Sequence, residues 1–284
     1  MYDPGPRPRF NTDDKPGRMW RPPDSTAGGF QQNGPMSTSF TPDADTAALL
    51  APGGRLRAAI NLGNPILAST DPATGRARGV SVDLAQALAE RLGVPLDTLE
   101  FQAATRSVDA VTGGAADVGF FAIDPLRGAE IAFTDAYILI EGAYLVRTGS
   151  PCRANEDVDR AGTRVAVGKG SAYDLFLTRE LKAASFVRVP GAAEVVQTLR
   201  DGGADVAGGI RQVLLEVAAH DAGLRLLPGR FMVIRQAMGV ARTRGPAAEA
   251  ALRAFVEDMK ASGFVAEAMA RHAVAGASVA PPSH

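Results

Sequence analysis

Cysteine, histidine and long apolar runs are scarce in this chain, and each scarcity excludes something. The one cysteine, Cys152, has no partner within the chain, so no internal disulfide staples it. Together with His220, His272 and His284 it makes no ligand set at metal spacing, and each histidine reads as a surface residue. No apolar run reaches the ~18–20 residues that a membrane-crossing helix needs. Charge of one sign is also lacking. Lys and Arg number 30 against 31 Asp and Glu, a net charge of -1, which gives neither a basic patch for nucleic acid nor an acidic tail. Residues 1–35 are rich in Pro, Gly, Arg, Asp and Gln and lack an apolar core. No basic–apolar–small leader pattern is visible there. The expectation is a disordered tail over 1–42: either the natural product starts at Met36 or nearby, or 1–35 is a dispensable tail, and the location stays open, the cytoplasm included.

What the chain does have is enough apolar residues, 46%, to fold without staples. A chain of this length buries roughly 70–75% of its unfolded surface. Strand and helix patterns alternate. Residues 56–62 read as a strand, 72–79 as a turn or hairpin, and 81–92 as an amphipathic helix with Leu84, Leu88 and Leu92 in one stripe and Gly93 as its stop. Strand 96–101, helix 106–113 and the nearly all-apolar strand 116–123 follow. After a long apolar segment at 137–146 the alternation restarts and runs to about 230. It then returns as a strand at 236–241 and closing helices over 247–273.

This order predicts an α/β fold of two lobes rather than a tandem. The closing helices have no sheet of their own, whereas 141–230 is self-sufficient. Lobe 1 is expected over 52–140 plus 236–275, and lobe 2, inserted, over 141–230. A disordered C-terminal tail is expected over 276–284. Two chain crossings, near 138–142 and 231–236, make a two-strand hinge with a ligand cleft between the lobes.

Two places offer chemistry for such a cleft. Arg127 follows a buried strand and the Pro125 turn, at the carboxyl edge of the sheet, where open α/β folds bind ligands. Its planar fork matches a carboxylate. The competing reading is a surface arginine paired to Glu130 or Asp124. The second place is Gly168-Lys169-Gly170-Ser171-Ala172-Tyr173, a glycine-rich turn into a helix. Free N–H groups and the helix dipole favour an anion there, and Ser171 is placed to cap the helix. The competing reading is a capped helix start and nothing more. The glycines are too few for a phosphate loop, and no cofactor motif is present. For catalysis, the carboxylates that fall near the cleft are Glu141 and Asp124, with no nucleophile–base pair visible.

Three stretches carry a family resemblance. They are Gly53-Gly54-Arg55-Leu56-Arg57-Ala58-Ala59-Ile60-Asn61, the helix 79–94, and Asp124-Pro125-Leu126-Arg127-Gly128-Ala129-Glu130-Ile131-Ala132-Phe133-Thr134-Asp135. Over about 220 residues the chain resembles the bacterial solute-binding proteins that serve ABC importers, in the branch that binds polar amino acids. The resemblance implies a periplasmic-binding-protein type 2 fold and a periplasmic or extracellular site of action. It implies that the arginine four residues before Ile131-Ala132-Phe133-Thr134, here Arg127, holds the ligand carboxylate. It also implies that Ser171 and Ala172 share that grip, with Ala172 where a second hydroxyl usually stands.

Other positions depart from the family pattern. Ile210 occupies the place of the aspartate that takes the ligand ammonium. Asn61 and Asn64 replace an aromatic platform, and Ala122 replaces a frequent hydroxyl. Arg211 and Gln212 add a donor pair on the opposite lobe. The implied function is binding of a small polar carboxylate-bearing solute, amino acid or related organic acid. The protein would be a monomer serving ABC importer membrane subunits, with no enzyme activity, metal, cofactor or nucleic acid. The alternatives are a dehydratase- or lyase-like enzyme on the same scaffold and a cytoplasmic ligand-sensing protein.

Overall fold

A computed structural model describes residues 40–283. The expectations about a leader, a start at Met36 and most of the 1–42 tail lie outside the described residues. Phe40 packs edge-on against Phe255, with ring centroids 5.7 Å apart. Helix α1 (Ala44–Leu50) opens with Asp43, whose carboxylate accepts from the Thr46 N–H at 2.8 Å.

Strand β1 (Leu56–Asn61) leads through the hairpin β2 (Ser69–Thr70) and β3 (Ala77–Arg78) to helix α2 (Val80–Leu92). The predicted leucine stripe of α2 is its buried face, and Gly93 ends it in the left-handed region at φ 67°. Strand β4 (Leu96–Phe101), helix α3 (Ala104–Thr112) and the fully buried strand β5 (Val118–Ala122) follow, then β6 (Ile131–Phe133). The ten-residue strand β7 (Ile138–Arg147) leaves this first group. The second group holds β8 (Arg164–Gly168), α4 (Ala172–Glu180), β9 (Ser185–Val189), α5 (Ala192–Arg200), β10 (Val206–Ile210), α6 (Arg211–Ala219) and β11 (Leu224–Leu226). Strand β12 (Met232–Ala241), again ten residues, brings the chain back to helices α7 (Pro246–Ala261) and α8 (Phe264–Arg271).

The sheet order is β4-β1-β5-β12-β7-β10-β8-β9. Strand β1 runs parallel to β4 and β5, and β8 runs parallel to β9 and β10. The long strands β12 and β7 lie antiparallel to each other and to their neighbours β5 and β10. Strand β12 pairs with β5 at Gln236–Gly239 and with β7 at Met232–Gln236. Strand β7 pairs with β10 over Gly142–Val146. These two strands therefore tie two parallel α/β groups into a two-lobed fold.

A third strand joins the crossing. Residues 277–279, expected within a disordered tail, form β13 (Ala277–Val279) and pair with Ile138–Ile140 of β7. The Ala280 N–H donates to the Tyr137 carbonyl at 3.0 Å, and the Ser283 hydroxyl donates to Glu257 at 2.6 Å. A strand of three residues is too short to leave a periodic pattern, so only its long-range pairing defines it. His272 also differs from a bare surface histidine: its Nε2 lies 2.9 Å from Asp83, whose carboxylate also meets Arg271.

Candidate ligand-binding cleft

The C-terminal ends of strands from both groups open on one cleft of about 540 Å³. On the first side it is lined by the loop after β1, by Ala122 at the end of β5 and by Arg127. On the second it is lined by the turn before α4, the start of α5 and the end of β10. Ile234 and Gln236 of the crossing strand β12 complete it. Its charged lining residues among those described are Arg127, Lys169 and Glu194, of which only Arg127 is buried.

Arg127 starts a single turn of 3-10 helix, Arg127–Ala129. The turn forms because Asp124 accepts from the Leu126 N–H at 2.9 Å just after the strand. Arg127 is only 8% exposed. One guanidinium nitrogen donates to the Ala122 carbonyl at 3.1 Å and another to the Gly170 carbonyl, across the cleft, at 2.9 Å. No described carboxylate pairs with it. Asp124 instead pairs with Arg179 of α4 at 2.8 Å. Burial lowers the Arg127 pKa, opposed by the nearby charge of Asp124. The group stays cationic regardless. A buried guanidinium whose hydrogen bonds go only to neutral carbonyls keeps three of its five N–H donors for something else.

The opposing turn packs tightly onto the first lobe. Gly170 sits at φ 70°, and a side chain there would strike the Thr105 methyl of α3. The Gly170 N–H donates to Asp174 at 2.8 Å, and Asp174 is held by Arg188 at 2.9 Å. Ser171 caps α4, its hydroxyl oxygen accepting from the Asp174 N–H at 3.1 Å. The same hydroxyl also meets the Tyr173 hydroxyl, which lines the cleft beside it. Ala172 lines the cleft at the first helical position, where its N–H has no partner within the helix.

The remaining predicted positions divide. Asn61, Asn64 and Ala122 line the cleft with Arg127, Ser171 and Ala172. The Asn61 carboxamide oxygen accepts from the Gly63 N–H at 3.0 Å, which shapes the loop. The Asn64 carboxamide oxygen is buried with no partner among the described residues. Arg211 and Gln212 are not part of the lining. Arg211 reaches Glu141 at 3.6 Å and the Gly229 carbonyl, and Gln212 lies against Gly276. Helix α6 begins directly after β10, which turns both side chains toward the strand crossing instead of the cleft. Sequence reasoning missed Gln236. The one signal for it was a polar residue among the apolar ones of Ile234, Ala237 and Met238.

Residues 56–274 match the family model of bacterial extracellular solute-binding proteins, family 3. The glutamine-binding protein of Geobacillus stearothermophilus is 22% identical over 205 residues, 71% of this chain and 78% of that one. Among solved structures, a mutant of ArgBP from T. maritima superposes with a TM-score of 0.67 at 21% identity, covering 80% of this chain and 98% of that one. An ancestral amino acid-binding protein, a precursor of cyclohexadienyl dehydratase, does so with a TM-score of 0.66 at 20% identity, covering 80% and 98%.

Proposed function

The chain belongs to family 3 of the bacterial extracellular solute-binding proteins, and from that premise we propose that it captures a small polar carboxylate-bearing solute between its lobes. The solute is an amino acid or a related organic acid, delivered by the monomeric protein to the membrane subunits of an ABC-type importer. The lobes are taken as 52–140 plus 236–275 and 141–230. The observation that carries this reading is Arg127, a buried cation in the cleft with carbonyl partners only. A ligand carboxylate supplies the missing counter-charge through charge-assisted hydrogen bonds. Ser171 and the N–H of Ala172 add polar groups from the second lobe, and Asn61, Asn64 and Ala122 line the first. The glutamine-binding relative makes α-amino acids the first class to try.

We read the protein as a binder, not an enzyme. The carboxylates expected near the cleft are committed elsewhere: Asp124 pairs with Arg179, and Glu141 pairs with Arg230 at 2.6 Å. Neither is left as a free general acid. Mass spectrometry of small molecules released from the purified protein tests the proposal. A bound carboxylate-bearing solute is expected. Turnover of that solute during incubation would move the reading to the dehydratase-like alternative.

A further inference from the structure

We propose that Gln236 is the second recognition point of the cleft. It selects a ligand that carries, beside its carboxylate, an uncharged hydrogen-bonding group such as a carboxamide or hydroxyl. This rests on the reading of Arg127 as the carboxylate anchor. Gln236 is only 5% exposed and lines the cleft. Its backbone is fully engaged: it pairs with Ala122 on one side and Ile138 on the other, and its carbonyl accepts from the Tyr137 N–H at 2.8 Å. Its carboxamide makes no hydrogen bond to any described residue. Neither amide atom is among the fully buried polar atoms left without a partner, so the group stays open to the cleft and able to meet a ligand.

The position of Gln236 supplies the reason. Residues opposed across antiparallel strands share a face, so its side chain lies on the same face as that of Ala122, whose carbonyl accepts from Arg127. Asn64, whose buried carboxamide oxygen has no partner among the described residues, lines the same cleft. Together they offer a donor and acceptors that are all neutral. A carboxamide or hydroxyl satisfies such a set, because it both donates and accepts. A second ligand charge would be desolvated against it without a counter-charge. The strand pairing on both sides of Gln236 keeps the group in place before the ligand arrives.

Calorimetric titration of the full chain with glutaramate, valerate and glutarate tests this. The three share a carboxylate and a five-carbon length and differ in the second group. The unaltered protein should bind glutaramate about tenfold tighter than either of the others, and Gln236→Met should bring glutaramate to within about twofold of valerate while leaving valerate unmoved. Gln236→Asn, with the amide one methylene short, should show the same loss in milder form. Thermal melting reports whether each variant folds. The inference falls if the folded variants keep the glutaramate preference, or lose affinity for all three probes by one factor. It falls equally if neither variant folds, since Gln236 would then serve the fold. Failure of the unaltered protein to bind any probe would remove the carboxylate reading itself. Binding that ignores Gln236 would remove only this inference.

Discussion

Two buried charges in the first lobe have opposite surroundings. The Asp117 side chain is 0% exposed, and it is enclosed by arginines. Arg57 donates to it from its backbone at 2.9 Å and from its guanidinium at 3.0 and 2.8 Å, and Arg244 adds an ion pair. Arg127, similarly buried, has two carbonyls and no carboxylate. A buried charge costs folding free energy unless it is paired. Asp117 is paired by the fold itself, so its role is complete without a ligand. Arg127 is left short of a partner at the wall of a cleft. Burial alone therefore does not separate a structural charge from a functional one, whereas the identity of the hydrogen-bond partners does.

Replacing each charge should separate the two roles. Asp117→Ala should destabilise the protein by about 1–3 kcal/mol, because it removes the shared acceptor of Arg57 and Arg244, which are only partly exposed. Urea denaturation measures this, and ligand affinity in the surviving folded fraction should hold. The same group carries a pH signature. Burial pushes the Asp117 pKa up, but hydrogen bonds from Arg57 and Arg244 outweigh it, and the net result lies below the ordinary 3.8. Its stabilisation is therefore full above pH 3.8 and fades as pH falls toward the lower folded value. The slope of stability against pH below 4 should shrink in the variant.

Arg127→Ala should do the reverse. Affinity for the carboxylate solute should fall by about 2–4 kcal/mol, while the melting temperature of the empty protein stays level or rises. A melting temperature that drops as far as in the Asp117 variant would make Arg127 structural too.

Smaller effects refine the contrast. Asp124→Asn breaks the pair with Arg179 that spans the lobes. The Arg179 side chain is 41% exposed, so the expected loss of affinity is about 1 kcal/mol or less. Small-angle scattering should show a more open average shape. The smallest effect concerns an ammonium group. Ile210 lines the cleft with a side chain that offers an ammonium no counter-charge, so removing the α-amino group from a ligand should cost nothing. Glutamine and glutaramate compared by thermal shift check this. A melting-temperature rise with free α-amino acids alone would reject it.

Much of this was readable along the chain. The leucine stripe and Gly93 stop of α2 depend on neighbours three and four residues apart. The capped turn at Ser171 and the turn that carries Arg127 are equally local. Their positions at strand ends follow from the alternation of strands and helices, which by itself determined the two-lobed α/β order and the cleft. Other features were settled by partners far away in sequence. Arg211 turns to Glu141 and the Gly229 carbonyl, while Arg230 reaches that same Glu141 from 89 positions on. The three residues of β13 become a strand only against β7. Gln236 read as an ordinary strand residue until both flanking strands were seen to occupy its backbone while nothing met its carboxamide. Sequence periodicity reports which face a side chain takes, and local motifs report how a turn closes. Whether a buried polar group finds a partner depends on the full set of neighbours, and only the tertiary structure assembles that set.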